Sequence, residues 1–471
     1  MRKTKIVCTI GPASSSVTML DRIIKAGMNV ARLNFSHGTY EEHAATIKRI
    51  RARSKKLGKT IGILQDLSGP KIRIGEIEGE SAALAAGSRF TFTSEKVKGN
   101  QEQVTLPYPE LIKKIKRNQT IYVDDAKLEF RVLSTMDTDI VAKVVIGGDL
   151  GSNKGFTVPG VSLDTPGVTD KDKRDLEFGL KNGVDMVASS FVRSADDIKP
   201  LHKIMDSAGR RLPVIAKIER PEAVRDIAAI VDAYDGIMIA RGDMGIELPI
   251  DEVPVIQKNI IRRCNRMGKP VITATQMLDS MMHNARPTRA EVTDVANAII
   301  DGTDATMLSG ETAAGQFPVQ SVKMMHKVAV RTEKSLDYKS LTQKRMEYPT
   351  HDVTEAIGEA AAKLAADLQV PAIVTCTFGG TTARLVSKYR PAAQIVAAAS
   401  NEETQRSLTL SWGVEPIYVK MTEDTDSLIT NAVKAAKTEK YVKRGDTILI
   451  IAGVPVGVPG NTSLIRVLRV D

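Results

Sequence analysis

This 471-residue chain is poor in the residues that build several common kinds of site. It has three cysteines, Cys8, Cys264 and Cys376, far apart and without CxxC spacing. They predict no disulfide framework and read as reduced thiols of a cytoplasmic protein. No His/Cys cluster is present, which argues against zinc. Aromatic residues make up only 4% of the chain, too few for base-stacking platforms. No Walker A motif occurs, so a P-loop enzyme is excluded. No apolar run approaches the roughly 18 residues of a membrane span. Met1 leads directly into a strand pattern with no signal-peptide core, so the expectation is neither secretion nor membrane insertion. The net charge is +10, yet no block of five or six like charges appears. A basic surface around an anionic small substrate accounts for that charge better than nucleic acid does. No internal repeat of solenoid length is evident.

What is present is an alternation of short apolar runs and amphipathic stretches. At about 150 residues per domain, the length predicts roughly three domains. "KIVCTIG" reads as a strand; the next helix puts Met19, Ile23 and Ile24 on one face, between a Ser cap and a Gly27 stop. "MNVARLNFS" is the second strand, and the helix after it ends at Gly58. "IGILQDL" is the third. From about Gly69 to Gly167 the pattern changes to alternating β-rich stretches. The α/β rhythm then resumes with strands at "VDMVASSF", "PVIAKIE", "DGIMIARGD", "KPVITATQM" and "DATMLSG", and "TRAE" (Thr288–Glu291) forms a capping box. Eight βα units predict a (β/α)8 TIM barrel with an inserted β-barrel lid; an open Rossmann-like sheet is the alternative. Five further strand patterns from about Tyr348 predict a separate C-terminal α/β domain. The expected boundaries are barrel at 1–69, lid at 70–167, barrel again at 168–346 and C-terminal domain at 347–471.

The stretch "VIAKIERPEA" carries Lys217 and Glu219 on one strand face with Ile215, while Val214, Ala216 and Ile218 share the other. Burying two charges is tolerable only if each finds partners. An ion pair at a strand end is one reading; a cationic catalyst beside a metal ligand is the other. Barrel chemistry sits at the C-terminal ends of the strands. There the sequence puts Arg32, Asn34 and Ser36, then Asp66, Lys217 and Glu219, Asp243 between Gly242 and Gly245, Thr273 and Thr275, and Ser309 to Glu311. Glu219 and Asp243 are two hard carboxylates on neighbouring strands, a donor set that suits Mg2+ completed by waters and substrate oxygens. Arg32 and Lys217 add fixed positive charge, and the glycines allow backbone N–H groups to approach an anion. Such a site stabilises a transferring phosphoryl group by position and electrostatics.

The motifs "MNVARLNFSHG", "SGPKIR", "IAKIERPEA", "GIMIARGDMGIELP", "ITATQMLDSM", "RPTRAEVTDVANAIIDGTDATMLSGETA" and "SKYRP" closely resemble pyruvate kinase of the bacterial type, nearly end to end. The resemblance implies phosphoryl transfer from phosphoenolpyruvate to ADP, giving pyruvate and ATP, by a Mg2+-dependent enzyme that is usually a homotetramer. By the same resemblance Arg32 holds the phosphoryl group, and Lys217 stabilises charge on it and on the enolate oxygen. Glu219 and Asp243 bind Mg2+, and the Gly242 and Asp243 N–H groups with Thr275 hold the substrate carboxylate. Asn34, Phe35, Ser36, His37, Arg73 and Lys154 meet the nucleotide. Asn34, Ser36, Asp66 and the Leu67 carbonyl fall at the family's K+ pocket. This chain reads "DLSGPK" where many members read Asp-Thr-Lys-Gly-Pro-Glu, so Leu67 replaces a Thr and Lys71 a Glu. An ammonium on Lys71 can supply the monovalent charge itself, and the expectation is that K+ is not required. In the C-terminal domain, Thr377, Gly379, Gly380, Thr381 and Thr382 join a strand to a helix. The resemblance suggests a phosphorylated effector there, with Lys388 and Arg390 as helpers.

Two rivals remain at this stage. A Mg2+-dependent or Schiff-base lyase acting on pyruvate shares the barrel, with Lys217 as nucleophile in the second case. It does not explain the lid, the C-terminal domain, or Arg32 with Asn34. A nucleic-acid-binding protein rests on the +10 charge alone.

Overall fold

The computed structural model describes residues 1–161, 166–346, 352–420, 422, 424–455 and 461–471. The expected start of the C-terminal domain, at 347, lies outside the described residues.

Eight parallel strands close a barrel: Lys5–Thr9, Val30–Asn34, Gly62–Asp66, Met186–Ser189, Val214–Ile218, Gly236–Ala240, Val271–Ala274 and Ala305–Leu308, each beside its neighbour in chain order, with the eighth returning to the first. The local signals behave as their chemistry requires. Helix Val17–Ala26 is capped by the Ser16 side chain and stops at Gly27, whose φ of 125° a side-chain-bearing residue rarely adopts. Helix Arg289–Asp301 begins with the Thr288/Glu291 capping box.

Strand parity sorts the core. Val7, Val30, Leu64, Ala188, Ile215, Met238 and Met307 fill the barrel interior. Val214, Ala216 and Ile218 face the surrounding helices instead. Two residues beyond each interior position lies the next inward-pointing side chain, one layer nearer the C-terminal mouth. Stepping from Val7, Val30, Leu64, Ala188, Ile215 and Met307 reaches Thr9, Arg32, Asp66, Ser190, Lys217 and Ser309. Leu410 of the C-terminal region joins the interior cluster at the opposite end.

Between the third barrel strand and helix Asp170–Asn182, which leads into the fourth, the described elements are strands apart from the short helix Pro109–Ile112. A six-stranded sheet and a two-stranded ladder, Ser81–Leu84 with Gly148–Gly151, surround a core containing Phe90, Phe92, Phe130 and Phe156. The last region is a five-stranded sheet ordered Val414–Tyr418, Gln394–Ala399, Ala372–Thr377, Thr447–Gly453 and Thr462–Arg469, parallel except for its final strand.

Candidate active site

At the mouth of the barrel, the Lys217 ammonium donates to Ser190 Oγ at 2.7 Å and lies 3.0 Å from Glu219 Oε1 and 3.3 Å from Asp66 Oδ1. Three acceptors therefore surround a group with three protons. Arg32 Nε donates to Asp66 Oδ2 at 2.7 Å, and its Nη1 donates to Thr9 Oγ1 at 2.9 Å. Ser190 Oγ donates to the Leu67 carbonyl at 2.7 Å and also lies 3.3 Å from Asp66 Oδ1. Lys217, Ser190, Glu219, Asp66, Arg32 and Thr9 are all buried.

Burial alone would lower the Lys217 ammonium, but Asp66 and Glu219 outweigh it and hold its pKa above the ordinary lysine value. Burial works the other way on Asp66, and Lys217 and Arg32 together keep that carboxyl below its usual range. For Glu219 burial prevails: its carboxyl is raised, with Lys217 opposing and the Asp243 charge adding to the rise. A lysine nucleophile needs a depressed pKa to present a free amine. The strengthened ammonium here counts against the Schiff-base alternative and for a fixed cation.

Glu219 Oε2 accepts from the Phe191 N–H at 2.7 Å. Glu219 Oε1 is buried, with the Lys217 ammonium 3.0 Å away and no backbone N–H donating to it. A buried carboxylate oxygen met by no backbone donor, within the field of a second carboxylate on Asp243, belongs to a donor set that a hard divalent cation takes. Among the described residues no group of three or more His, Cys, Asp or Glu is placed to hold a metal ion, at the barrel mouth or elsewhere, so the candidate ligands here are two carboxylates.

Thr275 adopts φ 66°, a left-handed conformation that is unfavourable for a β-branched residue. Arg241 fixes it there: Nη2 donates to the Thr275 carbonyl at 2.8 Å, and Nη1 donates to Asp294 at 2.7 Å. The turn aims Thr275 Oγ1 at the Gly242 N–H, 2.8 Å away, at the start of helix Arg241–Glu247. Gly242, Asp243 and Thr275 are thus brought together.

The residues expected around the nucleotide divide. Asn34 and Ser36 form a tight turn in which the Ser36 N–H donates to Asn34 Oδ1 at 3.2 Å, while His37 is exposed. The Phe35 ring is buried and stacked on His43 with ring centroids 4.0 Å apart, its N–H donates to the Asp66 carbonyl, and its carbonyl accepts from Lys171. Arg73 donates to the Asn153 carbonyl at 2.8 Å, and Lys154 lies 3.1 Å from Asp124, so both are tied within the β insert. Burial, then the charges of Arg73, Lys71 and Arg32, lower His37, which puts the insert's cations within electrostatic reach of the barrel mouth. Lys71 has its ammonium 3.3 Å from Asp125 and 3.9 Å from Asp243. It therefore sits beside the candidate metal ligand, and the charge on Asp66 is met by Arg32 and Lys217.

In the C-terminal region, Thr377 Oγ1 accepts from the Gly380 N–H at 2.9 Å and Thr382 Oγ1 contacts Thr462 Oγ1 at 2.8 Å, while Gly379 and Thr381 are exposed. Lys388 is paired with Glu355 at 2.7 Å and Arg390 with Asp304 at 3.0 Å, so neither expected helper is directed at this turn.

Sequence reasoning passed over Ser190. The signal was available: "VASSF" places a serine two residues beyond Ala188 on the fourth strand, at the same level as Asp66 and Lys217.

A model of the pyruvate kinase barrel domain matches residues 1–322, and a model of the pyruvate kinase alpha/beta domain matches residues 355–468. The chain belongs to the pyruvate kinase family. It is 48% identical over 469 residues to pyruvate kinase of Geobacillus stearothermophilus, covering 99% of this chain and 80% of that relative. The same coverage holds for pyruvate kinase of Staphylococcus saprophyticus, at 47% identity. A crystal structure of a pyruvate kinase from Cryptosporidium parvum superposes with a TM-score of 0.92 at 39% identity, covering 100% of this chain and 96% of that one. The chain is accordingly a phosphotransferase acting between phosphoenolpyruvate and ADP. Among the described residues no helix is long and apolar enough to cross a membrane.

Proposed function

We propose that Lys217 is the electrophilic catalyst of this pyruvate kinase and that Glu219 and Asp243 hold its Mg2+. The observation that carries the reading is the Lys217 ammonium, buried and kept charged, beside the buried Glu219 carboxylate, which also feels the Asp243 charge. Arg32, anchored by Asp66, presents its guanidinium toward the phosphoryl group. The substrate carboxylate takes the Gly242 and Asp243 N–H groups, with the Thr275 hydroxyl turning from Gly242 toward it. Lys217 then stabilises negative charge on the transferring phosphoryl group and on the enolate oxygen left behind. To do so it must exchange one of its three resting acceptors for the substrate. Mg2+ held by Glu219 and Asp243 would supply charge neutralisation for the phosphoryl oxygens. Asn34 to His37 and, from the β insert, Arg73 and Lys154 meet the nucleotide.

The same reading takes 70–167 as a lid that covers the mouth, between barrel segments 1–69 and 168–346, with a C-terminal domain over 347–471. It includes a cytoplasmic homotetramer and a phosphorylated effector at the turn Thr377 to Thr382, where Gly380, with φ 87°, opens a helix. K+ is not required, because the buried Asp66 carboxylate already has two cations against it and Lys71 adds a third charge at Asp243.

The test is a coupled assay of pyruvate formation from phosphoenolpyruvate and ADP as Mg2+ is titrated. Glu219→Gln should raise the Mg2+ concentration for half-activation by about tenfold or more, the loss of one charged ligand. An unchanged Mg2+ dependence removes Glu219 from the metal site.

A further inference from the structure

The two carboxylates read as Mg2+ ligands stand on neighbouring units of the barrel, and the sheet does not set their spacing. Strands Val214–Ile218 and Gly236–Ala240 pair in parallel as far as Ile218 with Ile239. Glu219 is the next residue on one chain, while Asp243 lies in helix Arg241–Glu247 on the other. Beyond the ladder the two chains are free to part. Mg2+ demands near-ideal octahedral geometry and tolerates little error in where its ligands stand.

A contact spans that gap. Arg220 follows Glu219 directly and precedes helix Pro221–Arg225, and its Nη1 donates to Glu247 Oε1 in an ion pair. The two side chains are 14% and 6% exposed. Asp243 and Glu247 are four residues apart, so they share one face of their helix. That helix is thereby held from both sides. Arg241 at its start is tied to the Thr275 carbonyl and to Asp294, and Glu247 at its end is tied to the segment carrying Glu219.

Stability does not account for the pair. Arg220 Nε, Glu247 Oε2 and Glu222 Oε2 are all buried with no hydrogen-bond partner. Burial raises the Glu247 carboxyl, Arg220 opposes it, and the Glu222 charge adds to the rise. A buried ion pair whose remaining polar atoms are unmet is a poor stabiliser, because desolvation of both charges offsets their attraction.

We propose that Arg220 and Glu247 are positioning residues for the metal, their ion pair holding Asp243 where a divalent ion on Glu219 requires it. This rests on the reading of Glu219 and Asp243 as the Mg2+ ligands. Removing a group that orients a metal ligand costs about 10–100-fold in metal affinity. Charge alone makes a different demand. Without the Arg220 cation a nearby divalent ion is held more tightly, and without the Glu247 anion less tightly. Positioning requires a loss in both cases.

Mn2+, which suits the same carboxylate and water ligands as Mg2+, is the probe. It is titrated into the full chain without substrate or nucleotide, and the free ion is read by its electron paramagnetic resonance signal. Affinity should fall about tenfold in Arg220→Met, in Glu247→Met and in Arg220→Met/Glu247→Met. The double variant removes one charge of each sign and leaves neither partner buried alone, so it should melt close to the parent while still losing affinity. Arg220→Lys, which keeps the charge, should recover part of the loss. Parent affinity in the double variant overturns the proposal, whatever its melting temperature, and so does tighter binding in Arg220→Met. Glu219→Gln distinguishes the two levels of failure. If it binds Mn2+ as the parent does, the ligand assignment fails and the positioning role with it. If it binds weakly while the double variant binds as the parent does, only the positioning role fails.

Discussion

Replacing Lys217 by Met removes one cation from a cluster of two buried carboxylates, and the consequences differ for the two. Asp66 keeps Arg32, at 2.6 Å and 2.7 Å from its Oδ2. Glu219 loses the cation it pairs with among the described residues and keeps one backbone N–H, from Phe191. At the 3.0 Å separation of Lys217 and Glu219, Coulomb attraction through an effective dielectric of about 20 is roughly 5 kcal/mol. Breaking a buried pair by removing one partner costs about 3–5 kcal/mol if the other stays ionised. Glu219 can avoid part of that by protonating, since its carboxyl is already raised. Relative to the parent, whose Glu219 is itself raised, the extra penalty opens only above the parent's folded value and grows by about 1.4 kcal/mol per pH unit until the variant's still higher folded value is passed. Lys217 itself confuses nothing in this window. Its folded pKa is raised, so its stabilisation is complete below the unfolded lysine value near 10.4 and is lost only above that. Two results are expected. The kcat of Lys217→Met falls by about 10²–10³ or more, the loss of a transition-state charge stabiliser. In differential scanning calorimetry, its melting temperature lies further below the parent's at pH 8 than at pH 5.5. A kcat near the parent value refutes the catalytic role, and a gap constant with pH refutes the electrostatic account.

Ser190→Ala should lower kcat about tenfold while leaving the KM for phosphoenolpyruvate nearly unchanged, and Ser190→Thr should recover part of the loss, as expected for a hydroxyl that positions Lys217; equal kcat in all three removes the role. In tetramethylammonium buffer free of Na+ and K+, with saturating Mg2+, the initial rate should rise less than tenfold on adding K+. Lys71→Glu should lose rate in that buffer and regain some with K+; a tenfold rise in the parent defeats K+ independence. A panel of sugar phosphates and AMP should change either activity or melting temperature through the turn at Thr377 to Thr382, and Thr382→Ala should abolish the response; no response to any member sinks that assignment.

The barrel was legible because its signals are local. Capping boxes, glycine stops and eight apolar runs each depend on a few neighbouring residues, and the structure uses them as written at Ser16, Gly27 and Thr288. The parity of "VIAKI" was equally local: alternation alone put Lys217 on the face of Ile215, and Ile215 lies in the barrel interior. What alternation cannot supply is the partner across strands. Ser190, Asp66 and Glu219 stand far apart in sequence and meet at Lys217 only because barrel closure sets the relative height of their strands. The destination of long flexible side chains was less legible still. Lys71, Lys388 and Arg390 are each followed by several rotatable bonds, and each takes the carboxylate that folding brings within reach, Asp243 with Asp125, Glu355 and Asp304 respectively. The strain at Thr275 was invisible for a further reason. Its positive φ depends on Arg241, which holds the turn by bonds to the Thr275 carbonyl and to Asp294. A single residue's propensity opposes that conformation, so it persists only where surrounding structure over-determines it. Such a position is where removal of the supporting side chain should do the most to the substrate carboxylate pocket and the least to the core: Arg241→Met would free the turn, leave the barrel interior untouched, and raise the KM for phosphoenolpyruvate well before it lowered the melting temperature.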